Sequence, residues 1–144
     1  MADKKVTILI VEDGRDWLDM FQIWFSDHLD VIEPVYASTL EDARVKFAAM
    51  PYDIVVTDGQ YPDSSISPIN KSAGLIFLAE LQQLSFAGQV IYLSSSDQHL
   101  ETIKSAGYAQ AYSKGVFGPR DIVKMCLALT KRPFEASHEA SKQN

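Results

Sequence analysis

The apolar run Ile54-Val55-Val56-Thr57 delivers a carboxylate, Asp58, at its C-terminal end, and Pro62 follows four residues later. A second apolar run, Val6 to Val11, ends in its own acidic pair, Glu12-Asp13. Two buried strands that release carboxylates at the same end would build one oxygen-rich site at one edge of a sheet. Such a site suits a hard divalent cation and a phosphoryl group. Two more residues stand in equivalent places: Ser94 follows the run at 90–93, and Lys114 follows the run at 109–113. Each group has a role in moving a phosphoryl group. Asp13, helped by Glu12, would hold Mg2+, which keeps several waters and needs few carboxylates. Asp58 would be the nucleophile and form an acyl phosphate. Lys114 would neutralise phosphoryl charge as a compact point cation, and Ser94 would donate a hydrogen bond to a phosphoryl oxygen.

Each residue also has a plainer reading. Glu12 and Asp13 could cap a helix, Asp58 could be a turn residue, and Lys114 could be a solvated strand-end lysine. Ser94 lies in a run of three serines, so its register could slide by one. Taken singly these alternatives are common; four strand ends in order favour the shared site.

The elements that must position these groups alternate between short β-rich apolar runs and longer stretches of helical period, the pattern of βαβ units around a parallel sheet. Strand one is Val6 to Val11, nearly continuous in apolar character, as a strand covered on both faces should be. Helix one spans 16–29, with Leu18, Phe21, Phe25 and Leu29 inward. Strand two, 31–36, contains Pro34 and therefore belongs at an edge. Thr39, with acidic residues behind it, opens helix two as a capping box. After strand three, residues 59–73 read as an irregular stretch without period. Helix three resumes near Gly74 and is closed by Gly88. Helix four is short, roughly 98–106, and ends at Gly107; helix five runs from about 119 to 131, with Ile122, Met125, Cys126 and Leu129 inward and Pro133 as its stop. In such an open doubly wound sheet the ligand sits beyond the C-terminal ends of the strands.

Composition bounds the remaining possibilities. The 144 residues are enough for one domain, and 47% hydrophobic content supports a core. A net charge of −6 argues against nucleic-acid or anionic-membrane binding, which needs clustered Lys and Arg. The single cysteine, Cys126, precludes an internal disulfide and fits a reducing cytoplasm; it reads as a buried small hydrophobe. No apolar run approaches the roughly 20 residues that span a bilayer, and the N-terminus does not read as a signal peptide. His28, His99 and His138 lack any ligand spacing. Trp17, Met20 and Trp24 form a second apolar stripe on helix one, either a cover for neighbouring elements or a partner surface.

Val6 to Asp13, Asp58-Gly59-Gln60-Tyr61-Pro62, Leu93-Ser94-Ser95 and Ser113-Lys114 together resemble the receiver domain of two-component response regulators. The resemblance covers 5–132, leaving 133–144 as a polar tail. It implies a flavodoxin-like, CheY-like α/β fold, with a five-stranded parallel sheet in the order 2-1-3-4-5 and five helices. It implies phosphorylation of Asp58 by a histidine kinase or phosphotransfer protein with Mg2+, and a backbone carbonyl of Gln60 completing the metal shell. The family's function is signalling rather than enzymatic, and with no effector domain after helix five the output would pass through protein contacts. Three departures stand out: Gly115 replaces the proline that commonly follows the lysine, Ala111 occupies the aromatic switch position with Tyr112 beside it, and the loop 63–73 is longer than usual. They keep open a degenerate receiver that binds proteins without phosphorylation. A small α/β hydrolase is a more distant alternative, weakened because Gln60 stands where a phosphatase mechanism would want a second aspartate. The long loop could partly cover the site, with Asn70 or Lys71 reaching toward it, or be a tolerated surface insertion whose serines keep it soluble.

Overall fold

The computed structural model describes residues 4–129. The elements are β1 (Val6–Val11), α1 (Arg15–Phe25), β2 (Ile32–Ala37), α2 (Leu40–Ala49), β3 (Ile54–Asp58), β4 (Tyr61–Pro62), β5 (Ile69–Asn70), α3 (Ala73–Gln83), β6 (Gln89–Ser94), α4 (Asp97–Ala106), β7 (Gln110–Ser113) and α5 (residues 119–129). Five strands pair in parallel in the order β2-β1-β3-β6-β7, which is the expected 2-1-3-4-5 once the β4–β5 hairpin is set aside. Strand order reverses between β1 and β3, and a doubly wound sheet opens its ligand crevice at that switch point.

Alternation along the strands divides the core in two. Leu9, Val11, Val55 and Tyr92 face Leu40, Ala43, Phe77, Leu81, Leu100 and Ile103, which come from α2, α3 and α4. Ile8, Ile10, Val56, Ile91 and Leu93 face Phe21 and Phe25 of α1 and Ile122 and Cys126 of α5. Fully burying side chains of this size stabilises by about 1.5–3 kcal/mol each, so this two-sided burial sets the register that brings the strand ends level. Among the described residues no helix is long and apolar enough to cross a membrane.

Several local expectations hold. Thr39 Oγ1 accepts the Asp42 N–H at 3.0 Å, as a cap should. Pro34 lies on the edge strand β2, and Gly107 ends α4 in the left-handed region at φ 72°. Others are corrected. Helix one does not reach Leu29: it ends at Phe25, a 3-10 turn covers Ser26–His28, and Leu29 is 46% exposed. Gly88 does not close helix three. Ser85 takes the left-handed position at φ 55°, while Phe86 N–H donates to Leu81 O and Ser85 N–H to Gln82 O, the paired bonds of a Schellman motif.

The stretch after β3 is also more ordered than expected. Tyr61–Pro62 pairs antiparallel with Ile69–Asn70 to form a small hairpin. Glu41 N–H donates to Asp63 O at 2.9 Å, which ties the hairpin to the start of α2. Asn70 Nδ2 donates to Asp63 Oδ1 and Asn70 Oδ1 accepts the Ser72 N–H, so Asn70 is spent within the hairpin rather than reaching over Asp58. The end of helix five, the polar tail and His138 lie outside the described residues.

Candidate functional site

The C-terminal ends of β1, β3, β6 and β7 converge at the switch point. Carboxylate oxygens of Glu12, Asp13 and Asp58 all lie within 4.8 Å of one another. Lys114, from the end of β7, donates from Nζ to Glu12 Oε1 at 2.6 Å and to Asp58 Oδ2 at 3.1 Å. One ammonium thus bridges two carboxylates, and a third carboxylate stands beside them. Glu12 also accepts the Gly14 N–H at 3.0 Å. Gly14 is the N-cap of α1, so Glu12 also ties down the residue at which that helix begins.

The charges are unevenly balanced. Burial, with the Asp58 charge second, raises Glu12 to about 7 despite the opposing Lys114. Asp13 is also raised, chiefly by burial. Burial pulls the Lys114 ammonium down, but Glu12 and Asp58 outweigh it and hold it above its usual value. An isolated ion pair would lower its carboxylate. Here Glu12 goes up because its burial and the second carboxylate exceed what one ammonium can offset. The surplus of negative charge in a partly buried oxygen cluster fits a hard divalent cation.

Two glycines let the backbone crowd this site. A Cβ at residue 59 would stand 2.6 Å from the Tyr92 hydroxyl oxygen. A Cβ at residue 74 would stand 2.2 Å from Asp58 O and 2.6 Å from Gly59 Cα, so the first turn of α3 rests directly on the phosphoacceptor candidate's own backbone. Gly59 N–H donates to Asp58 Oδ1 at 2.7 Å, and Gly74 N–H to Gly59 O at 3.0 Å.

Four of the six residues singled out from the sequence, Glu12, Asp13, Asp58 and Lys114, meet in this cluster. Ser94 lies at the expected strand end, and its carbonyl accepts the Lys114 N–H at 2.9 Å. Its hydroxyl, however, is turned into its own loop, donating to Ser96 O and accepting the Ser96 N–H at 2.9 Å each. Gln60 is half-buried between Gly59 and the hairpin. Ala111 and Tyr112 fall on opposite sides of the sheet: Ala111 joins the α2–α4 core, while Tyr112 packs edge-on against Phe117 with centroids 5.1 Å apart. Tyr112 therefore does not stand in for an aromatic at 111. Among the described residues there is no cis peptide, Lys114–Gly115 included.

Sequence reasoning missed the role of Trp17. Its ring lies 4.4 Å from Lys114 Nζ, so it forms the α1 wall of the site. Its place in the first turn after Glu12-Asp13 was the available signal, since helical side chains lean back toward the N-terminal turn. Trp24 is likewise half-buried, under the Arg120 guanidinium at 5.0 Å. Trp17 and Trp24 thus cover neighbouring elements, while Met20, the third residue of the stripe, is exposed.

No family model matches the chain, and no curated protein matches it in sequence. Solved structures do match. The signal receiver domain of a putative Luxo repressor protein from Vibrio parahaemolyticus superposes with a TM-score of 0.71 at 17% identity, over 95% of this chain and 98% of that one. The receiver domain of the Francisella response regulator 1452 gives 0.71 at 19%, over 90% and 99%. A CheY-like receiver domain protein from Methanospirillum hungatei JF-1 gives 0.71 at 18%, over 92% and 99%. The fold is that of a receiver domain. At such low identity the shared feature is the receiver architecture itself, and within that architecture this chain places its acidic cluster at the switch point.

Proposed function

We propose that the chain is a response-regulator receiver whose Asp58 accepts a phosphoryl group from a histidine kinase or phosphotransfer protein. The observation that carries this reading is the cluster itself: three carboxylates within 4.8 Å, with Lys114 bridging Glu12 and Asp58, at the ligand end of a receiver fold. An Asp58 carboxylate oxygen attacks phosphorus, the donor's nitrogen–phosphorus bond breaks, and the donor imidazole keeps the electron pair and takes a proton. Lys114 is in reach to follow the charge as it moves onto the phosphoryl oxygens. Ser94 would contribute after its hydroxyl turns away from Ser96.

Glu12, Asp13 and Asp58, with the Gln60 carbonyl, would hold Mg2+. When bound, the cation neutralises carboxylate and phosphoryl charge together. The domain spans 5–132, has no substrate of its own beyond the phosphoryl group, and acts in the cytoplasm by presenting a changed surface to a partner.

The test is to incubate the protein with Mg2+ and acetyl phosphate and to weigh it intact. A gain of one phosphoryl group, removable by hydroxylamine and absent in Asp58→Asn, supports the reading. An unmodified Asp58 with both small donors and kinases would leave a phosphorylation-independent binding module.

A further inference from the structure

Three tyrosine or threonine hydroxyls lie close under Asp58, and one of them is out of step with the others. Thr57 Oγ1 donates to Asp58 O at 2.9 Å and is 3.0 Å from the Tyr61 hydroxyl, so both of these groups are satisfied. Tyr92, one strand over on β6, is fully buried, and its hydroxyl has no partner among the described residues. Buried hydroxyls without partners are costly and rare, and each asks for an explanation. The orphan is not remote from the chemistry. Its oxygen rests against Gly59, where an added Cβ would meet it at 2.6 Å, and it feels the Asp58 carboxylate. Across the register, β7 presents Ala111 to Tyr92, a side chain too small to wedge the ring in place.

In the resting protein the backbone around Asp58 is already in use. Gly59 N–H points at Asp58 Oδ1, Asp58 O is taken by Thr57, and Gly59 O is taken by Gly74 N–H. Phosphorylation changes that balance. The carboxylate becomes a carbonyl and a bridging oxygen, which weakens it as an acceptor for Gly59 N–H, while new negative charge arrives above the same peptide. The Gly59 N–H so released needs another acceptor, and the buried Tyr92 hydroxyl oxygen beside residue 59 is the one with no partner already competing for it.

We propose that the Tyr92 hydroxyl is a reserve hydrogen-bond partner, without one in the resting protein and accepting the Gly59 N–H once Asp58 carries a phosphoryl group. Tyr92 is then a positioning residue, acting through residue 59 rather than touching the phosphoryl group. The inference rests on the phosphoacceptor reading.

The experiment compares full-length wild type with Tyr92→Phe, which keeps the ring and deletes the hydroxyl. Beryllofluoride, a phosphoryl mimic, is titrated in the presence of Mg2+ and followed by fluorine NMR, alongside a thermal melt of each protein without ligand. The expected result is about fivefold weaker beryllofluoride binding, equivalent to about 1 kcal/mol, with a melting temperature equal to or above that of wild type. Binding weakened by less than threefold overturns the proposal. So does a melting temperature several degrees lower, since the hydroxyl would then already have a structural partner at rest. If wild type neither binds beryllofluoride nor takes a phosphoryl group from acetyl phosphate, the phosphoacceptor reading falls, and this inference with it.

Discussion

Lys114 is the residue on which the resting site turns. It holds together two carboxylates that would otherwise repel, and its side chain is 17% exposed against 2% for that of Glu12. Lys114→Met should therefore destabilise the ligand-free protein by about 2 kcal/mol, below the roughly 3–5 kcal/mol for breaking a fully buried pair because part of the site is open. Millimolar Mg2+ should restore much of that loss, since it supplies the missing positive charge. By calorimetric titration Lys114→Met should bind Mg2+ more tightly than wild type, the competing ammonium being gone, whereas Asp13→Ala should lose measurable binding. Equal affinities in all three proteins would sink the metal assignment. Glu12, Asp13, Asp58 and Lys114 were legible in the sequence because each ends an apolar run, and a strand end leaves its next side chain little choice of place. Trp17 and Tyr92 were not, because an aromatic at core spacing looks the same whether it fills space or faces a charge.

At the scale of elements, α3 carries the two sharpest consequences. Gly74→Ala forces a Cβ onto the backbone of Asp58 and Gly59. Neither atom belongs to a flexible side chain, so the helix must shift; a loss of about 2–3 kcal/mol is expected, of the order of overpacking a core, together with slower phosphorylation. At the other end, Ser85 occupies the left-handed region. Ser85→Gly should raise stability by about 1 kcal/mol, the usual cost of that conformation for a residue with a Cβ, seen as a higher midpoint in urea with an unchanged slope. The same position explains why the sequence pointed to Gly88 as the end of the helix: glycine is the usual left-handed residue there, and a serine at 85 carries no such signal. The hairpin was invisible for another reason. Strands of two residues, Tyr61–Pro62 and Ile69–Asn70, are too short for any period to show. Helix one was overrun because Leu29 continues the apolar spacing after the backbone has tightened at Ser26–His28.

The whole molecule buries phenols as well as hydrocarbons, and that sets its alkaline limit. Burial pushes Tyr36 and Tyr92 up to about 12, with the Asp58 charge a second cause for Tyr92. Their unfolded value is near 10. The folded state thus keeps phenols neutral that the unfolded chain would ionise, and stability falls with pH wherever the unfolded state holds fewer protons. The stabilisation is complete below pH 10 and is lost as pH rises through about 12. Chemical denaturation at stepped pH should show that decline, and Tyr92→Phe should make it shallower. A slope unchanged by that substitution would mean that Tyr92 ionises as freely in the fold as out of it.

Two tryptophans serve the entire chain, and each lies under a cation: Trp17 beneath Lys114 at 4.4 Å and Trp24 near Arg120 at 5.0 Å. Their situations differ in what can move the cation. Lys114 is shared with Glu12 and Asp58, so anything that captures those carboxylates draws the ammonium off the indole face, whereas Arg120 has no part in that site. The emission of Trp17 should change when the acidic cluster is filled, while that of Trp24 stays as an internal reference in the same spectrum. Trp24→Phe should keep the optical response to Mg2+ and Trp17→Phe should abolish it, so occupancy of the site can be followed in real time with no label attached.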